Sequence, residues 1–571
     1  MSRRSKQAKK PKNKTLADTV SWLSEGARIP DSAADEVRAA LRATGIIDEI
    51  AEWESERRGR GGRPSTVSAE AILVGALLAA FFGSSVNCTD IAAVLYQQLN
   101  PKKRAALGVA DCAPGVRPYE RVLRRFKRLI SYVDPSDEPK NSRQRVEPRR
   151  QRSQQDRDLA AARLQRLSNA IIEASVAVAP PEFLAAWDGS LAVDATALGQ
   201  YTRPGADGTI PTDPDAGYYV RTNPDSSPTD KRARAHKSMV AYETEIAVMG
   251  SGHPTDPYQH PNLVLGIRLH RPGVEPGLNA TRVIDYIAAK YGKVGWLAAD
   301  RAYNNSIPEK FQIAMRRLGY KLLFDYRIDQ LGVQAQQRGA ILVEGTWYCP
   351  SMPQPLINAT LDFRNNDISE ELWHIRIAER VLYELRASDS AHGRLACPAT
   401  GSSPSVGCPV RHGDNATVKG KTLITVVAEP LGAICTNKKD VTFDLEAPAG
   451  AKHAQAVPYG SRTWELLYGR LRNVIEGTNG VAKDGANAGV GDACRRRLRG
   501  LANQTVLVSA MIAGSNMRRI RNWIEEYVPE AASSLVTIVR KTRTRPKKPA
   551  WLVGRRERLR YEQPPPDTVL V

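Results

Sequence analysis

The sequence predicts an α/β protein: a mixed sheet with flanking helices, interrupted by a β-rich insertion and preceded by a helical N-terminal domain. Three observations carry this expectation. Between residues 183 and 326, short apolar runs alternate with helical periodicity, the pattern of a sheet covered by helices. Between residues 327 and 455 that order breaks into Gly, Pro and short strand-like runs such as 423–427 and 441–445. From residue 68 to 133 the apolar positions recur at helical spacing.

Taken in order, residues 1–62 are a basic tail and a polar segment. The first fourteen residues hold seven Lys or Arg and no acid, and 58–63 is a Gly/Arg-rich loop. Residues 63–133 form the helical domain. Ser68 precedes the helix-forming run 69–82, Thr89 is placed to cap 90–99, and Pro118 opens 119–133. In this last helix Val122, Leu123, Phe126, Leu129, Ile130 and Val133 share a face, leaving Arg121, Arg124, Arg125 and Arg128 on the others. Two structures satisfy that pattern: a helix-turn-helix-like DNA-binding module, and an ordinary bundle helix with a solvated charged face. Residues 134–182 are a Pro-, Ser-, Gln- and Arg-rich linker running into a helix near Leu159.

Strands are expected at 191–198, 236–249 and 262–270, a helix at 280–291, a strand at 294–299, a helix at 307–318 and a strand at 321–325. Three strands followed by helix, strand, helix and strand is the order of a ribonuclease H-like domain, in which the first and fourth strands are neighbours. After the insertion at 327–455, residues 456–530 return to helices at 462–483 and 495–526. The tail 531–571 is basic and Pro-rich, with ten Lys or Arg against one Glu between 540 and 560.

Composition narrows the function. With 42% hydrophobic and 25% charged residues the chain of 571 is globular rather than disordered. Its longest apolar stretch, 71–82, is short of the ~20 residues a bilayer span needs, and no secretory signal is present. A soluble intracellular protein is expected. Against 61 Asp and Glu stand 82 Lys and Arg, a formal charge of +21. That excess points to a polyanionic partner, nucleic acid first among them, although solubility alone can also use it. Seven scattered cysteines do not make a disulfide framework.

Three carboxylates stand out. Asp194 lies inside the apolar run Leu191-Ala192-Val193-Asp194-Ala195-Thr196-Ala197-Leu198, and Asp300 ends the run Trp296-Leu297-Ala298-Ala299. A carboxylate in a core strand is costly unless a cation meets it, and strand ends are where open α/β sheets bind ligands. On neighbouring strands the two acids would repel, and a divalent metal relieves that. The third acid, Glu476, sits on a helix with Arg472 four residues before it and Lys483 seven after, so all three share a face. Gly477 and Gly480 cost helix stability there and suit the close approach of a ligand. Singly, each acid also fits a structural role: a capped or hydrogen-bonded Asp, or an exposed Glu in a salt-bridge ladder.

Together these residues resemble the catalytic domain of the DDE transposases of bacterial insertion sequences. That family carries one Asp on the first strand of a ribonuclease H-like fold, a second after the fourth strand, and a Glu on a helix beyond a β insertion. The 175 residues between Asp300 and Glu476 leave room for such an insertion. Arg472-x3-Glu476-x6-Lys483 matches the last three members of the Y-x2-R-x3-E-x6-K signature of one branch. The Tyr does not match: Gly469 occupies its position and Tyr468 lies one residue early. Asp300-Arg301-Ala302-Tyr303 resembles the segment of the second Asp, and 63–133 the amino-terminal domain. The resemblance implies a catalytic triad of Asp194, Asp300 and Glu476 holding two Mg²⁺ ions, with Mn²⁺ as a substitute. It implies cleavage of double-stranded DNA at element ends and transfer of the 3′ ends to target DNA. Arg472, Lys483 and Tyr468 would contact that DNA near the cut, and the basic helix and tails would bind its phosphates. A homodimer in the synaptic complex, no membrane, and a cytoplasmic, nucleoid-associated bacterial protein follow from the same resemblance. A ribonuclease H-like nuclease without strand transfer, and a non-catalytic DNA-binding descendant, are the competing readings.

Cys349, Cys397, Cys408 and Cys435 all fall in the insertion. Four thiolates can hold structural Zn²⁺, but gaps of 48, 11 and 27 residues contain no short knuckle, so buried free thiols are the first expectation and a zinc site the second.

Overall fold

The computed structural model describes residues 28–56, 65–113, 115–137, 152–201, 211–222, 235–253, 260–389, 393–413, 420–424 and 427–527. The N-terminal basic segment 1–27, the Gly/Arg-rich loop, most of the linker and the C-terminal basic tail lie outside them. By their contacts the described residues fall within a single compact unit.

The helical segment begins with α1 (Asp31–Ala43) and α2 (Ile46–Glu56), followed by α3 (Ala69–Phe81), α4 (Pro118–Val133) and α5 (Gln154–Ala177). The Ser68 hydroxyl accepts the Ala71 N–H and caps α3 as its sequence suggests. Every residue of α3 from Ala69 to Ala80 is buried, because a helix apolar on all sides has no face to offer water. One polar group is carried inside with it. Glu70 receives Arg38 Nε at 2.9 Å and Arg42 Nη2 at 3.0 Å, tying α3 to α1. Burial alone would push the Glu70 carboxyl up, but the Arg42 and Arg38 guanidiniums outweigh it and hold it below its ordinary value.

The sheet is mixed. Its strands are β1 (Leu191–Gly199), β2 (Gly217–Thr222), β3 (Ala235–Met249), β4 (Val264–His270), β5 (Trp296–Ala299) and β6 (Lys321–Phe324). The order is β2-β3-β1-β5-β6, with β4 also pairing β3. β3 is long enough to take β1 antiparallel along 241–249 while β2 and β4 share its other edge. β1, β5 and β6 run parallel, so the first and fourth of the expected strands are indeed adjacent. β2 was not anticipated. Its run Gly-Tyr-Tyr-Val-Arg-Thr is short, and a β-sheet partner rather than its own periodicity orders it. Helices α6 (Pro276–Tyr291) and α7 (Gln312–Arg317) follow β4 and β5. The helix expected over 307–318 is shortened to α7 because Pro308 opens a separate 3₁₀ turn before it.

Residues 327–455 are more helical than expected. Among the described residues, short strands make two three-stranded sheets and a strand pair, but Glu370–Glu379 is a full helix. Ser369 caps it, and Trp373 and Ile377, one turn apart, bury a single face.

Two long helices close the fold: α8 (Arg462–Lys483) and α9 (Leu501–Tyr527). α9 joins the helical segment to the sheet. A Cβ on Gly514 would stand 2.6 Å from the Ala80 carbonyl carbon, so glycine is what lets α9 cross α3 this closely. One turn on, Arg518 donates to the Phe81 carbonyl at the free end of α3. On its sheet side, Asn516 both accepts from Val264 N–H (2.9 Å) and donates to Val264 C=O (2.7 Å), acting as one residue of a neighbouring strand. No helix among the described residues is long and apolar enough to cross a membrane.

Glu70→Gln tests the α1–α3 tie. It is expected to cost about 1–3 kcal/mol, the scale of a charged buried hydrogen bond. Because the Glu70 pKa is depressed in the fold, its contribution is complete above the ordinary value of 4.5 and lost as pH falls through the lower folded value. Urea unfolding from pH 7 to pH 3 should therefore show wild type and variant converging at the acid end.

Candidate functional site

The site is built where the parallel pairing of the three strands ends. In the register, Val193 pairs with Ala299 and Ala299 with Phe324. The next residue of each chain segment is an acid: Asp194, Asp300 and Asp325. Each follows an apolar core run, so the sheet delivers three carboxylates to one edge. Asp325 was missed from sequence, although the same signal of apolar run followed by Asp marks it. It receives Tyr459 Oη at 2.7 Å and lies 3.5 Å from Arg364 and 3.7 Å from Arg301.

Helix α8 lies against this edge. Ser461 caps it, and Leu467, Leu471, Ile475, Thr478 and Ala482 bury its apolar stripe. The stripe beside it carries Arg472, Glu476 and Asn479. Arg472 reaches all three predicted acids: Nη1 lies 3.6 Å from Asp194 Oδ2, Nη2 3.3 Å from Asp300 Oδ2, and Nε 2.9 Å from Glu476 Oε1. Asn479 Nδ2 donates to Asp194 Oδ2 at 3.0 Å. Residues 285 positions apart in the chain thus meet on one guanidinium and one amide.

The three acids differ in exposure, which sets their electrostatics. The side chain of Asp194 is 16% exposed, that of Asp300 28% and that of Glu476 57%. Burial pushes the Asp194 carboxyl up to about 6; Arg472 opposes this and Asp300 reinforces it. One cation therefore does not offset the cost of this arrangement. The acids converge on Arg472 rather than on a shared point, and among the described residues no three His, Cys, Asp or Glu side chains form a group that could hold an ion. The donors nonetheless suit a hard divalent cation, being oxygen only. Asn479 Oδ1, beside Asp194, is a buried acceptor without a hydrogen-bond partner, which the water shell of such an ion would satisfy.

Behind the acids lies a network that no local sequence pattern marks. Glu245, fully buried on β3 opposite Ala195, receives Tyr303 Oη and lies 3.1 Å from His270 Nε2. Burial pushes the Glu245 carboxyl up. Through Tyr303 this network anchors the turn that begins at Asp300, whose carbonyl accepts the Tyr303 N–H.

The remaining expected site residues fall out variously. Tyr468 is buried one turn before Arg472 and stacks on Trp464, with ring centres 4.7 Å apart. Lys483 is exposed at the end of α8. Gly477 and Gly480 have nothing within 4 Å of an added Cβ, so they leave that stretch of helix open. On α4, Arg125 is buried and paired with Glu54, a correction to its expected DNA-facing role. It lies three residues after Val122 and therefore on the buried face. Arg121 donates to the Ala110 and Asp111 carbonyls, while Arg124 and Arg128 are exposed, Arg128 donating to Tyr132 Oη. Cys349, Cys397, Cys408 and Cys435 share one apolar core of the insertion, where burial pushes the Cys349 thiol up to about 12. These four do not form an ion-holding group either.

Asp194→Asn separates electrostatic cost from packing. The folded pKa, near 6, lies above the ordinary 3.8, so Asp194 lowers stability as pH rises between those values and fully above them. In chelator-containing buffer the variant is expected to be more stable than wild type by about 1–3 kcal/mol at pH 7.5, with no gain at pH 4. Thermal unfolding at the two pH values measures this.

No protein-family model, curated protein or solved structure matches this chain, so the meaning of the site rests on its own geometry.

Proposed function

We propose that this chain is a DDE transposase, a metal-dependent enzyme that cuts and joins DNA strands at the ends of an insertion sequence. The observation that carries the reading is the meeting of Asp194, Asp300 and Glu476 on Arg472. Three carboxylates with one cation leave a formal charge of −2 where the parallel pairing of the strands ends, a standing demand for divalent cations. The strand order around them supports a ribonuclease H-like core: β1, β5 and β6 parallel, β3 antiparallel, the acids on adjacent strands.

In this reading Asp194, flanked by the other two, would serve both of two Mg²⁺ sites, with Asp300 and Glu476 each serving one. Bound there, the ions would activate water or a 3′-hydroxyl and stabilise the departing oxygen in an in-line displacement. The chain's own residues do the remainder. Glu245 and Tyr303 hold the Asp300 turn, Asn479 orients Asp194, and Arg472 and Lys483 offer positive charge to the phosphates. Arg124, Arg128 and the basic terminal segments would bind duplex DNA through its backbone, giving steep salt dependence. The enzyme would work on DNA in the bacterial cytoplasm, and joining two ends calls for a homodimer.

Nicking of supercoiled plasmid in Mg²⁺, followed by joining of a pre-cut 3′-hydroxyl duplex to target DNA, tests this. Asp194→Asn, Asp300→Asn and Glu476→Gln should each lower both steps by about 10³-fold or more while leaving DNA affinity within about threefold. A variant that still cuts at the wild-type rate removes that residue from the triad. Nicking without joining leaves a nuclease in place of a transposase.

A further inference from the structure

We propose that Arg472 is the resident counter-ion of the acid cluster: it holds the metal-free site assembled and must swing out before divalent ions bind. This rests on the reading of the cluster as a metal site and adds how that site is regulated.

Arg472 occupies the centre of the cluster. Each of its three nitrogens faces a different carboxylate, from β1, from the end of β5 and from its own helix, at 3.6, 3.3 and 2.9 Å. Like charges gathered at a half-buried edge repel one another, and a planar guanidinium with its donors spread in a fork can bridge them where a point charge cannot. The same placement explains why the acids do not form an ion-holding group in this state.

The lock is also incomplete. Arg472 Nη1 is buried and makes no hydrogen bond, lying 3.6 Å from Asp194 Oδ2. Asn479 Oδ1 is likewise unpartnered. Both groups carry the cost of unmet polar atoms and gain when the arrangement changes. Glu476 is the most exposed of the acids and the central Arg472 is itself 25% exposed, so the guanidinium has a solvent side beside Glu476 toward which it can leave.

The consequence is coupling. A divalent ion displaces the guanidinium from the carboxylates, and a DNA phosphate offers it a new anionic partner. Each event removes an obstacle to the other, so metal and DNA bind with positive cooperativity that runs through Arg472 and is reciprocal. The site would then load ions most readily with DNA in place, limiting cleavage to the assembled complex.

The test measures Mn²⁺ affinity of the full chain by electron paramagnetic resonance, with and without a short DNA duplex, alongside thermal unfolding in chelator. Arg472→Gln is expected to bind Mn²⁺ about tenfold tighter than wild type without DNA. DNA should tighten Mn²⁺ binding by wild type and leave Arg472→Gln unchanged. A folded Arg472→Gln that binds Mn²⁺ no more tightly than wild type overturns the proposal. Should that variant fail to fold, Arg472→Lys decides: its single ammonium cannot bridge three acids, so tighter Mn²⁺ binding supports the counter-ion role and unchanged or weaker binding overturns it. Asp194→Asn separates the two levels. It should lose Mn²⁺ binding; if it binds as wild type does, the ions lie elsewhere and the metal-site reading itself fails.

Discussion

The contact between one guanidinium and three carboxylates organises this molecule. Asp194 is delivered by the middle of β1, Asp300 by the end of β5 and Glu476 by the same helix that carries Arg472. For them to meet, β1 and β5 must pair in parallel with Val193 opposite Ala299, and α8 must lie across their ends. A slip of one residue in that register would turn the Asp194 side chain to the other face of the sheet. The Asp194 carboxyl holds this place with a raised pKa, burial being the largest cause.

Much of the core was legible because its signals are local. Apolar runs of β1, β3, β4, β5 and β6 gave strands near their observed limits, and an acid placed within or at the end of such a run is conspicuous. The adjacency of the first and fourth strands came from element order, and the face shared by Arg472 and Glu476 from helical spacing. What was hidden depends on distant partners. β2 is ordered by its pairing to β3, with a tyrosine-rich run that could equally be loop. Glu245 reads as one more alternating strand residue until Tyr303 and His270 are seen against it. Arg472 was legible as a cation beside Glu476; its contacts to two strand ends were not, since no local pattern encodes them.

The helical segment shows the same limit in another form. Its apolar periodicity fits a helix-turn-helix-like DNA-binding module as well as an ordinary bundle. In the fold α3 is buried on every side and packs tightly on α9 through Gly514, while Asn516 of α9 engages β4 on the other flank. The segment is therefore mechanically continuous with the sheet. Of the four arginines on α4, one has become a buried ion-pair partner and one a donor to loop carbonyls. A positively charged helix in a sequence says how much charge there is; which of it faces outward is decided by the helices packed against it.

The insertion is joined to the acid edge rather than appended to it. Asp325, next along the row of strand-end acids, is met by Arg364 from the insertion and by Tyr459 from the segment that follows it. Gln455 accepts the Phe324 N–H with its side chain, and Trp464 donates to the Phe324 carbonyl, so the end of β6 is held from both sides. Arg301, one residue after Asp300, also leans toward Asp325. The row of carboxylates is thus divided by its partners: Asp325 is shared among Arg301, Arg364 and Tyr459, and Asp194 and Asp300 are left with Arg472. This division makes the insertion part of the electrostatics of the site. By supplying Arg364 to Asp325 it leaves Arg472 committed to the other two strand-end acids. A chain that lost the insertion would keep every acid and still lose the distribution of cations among them.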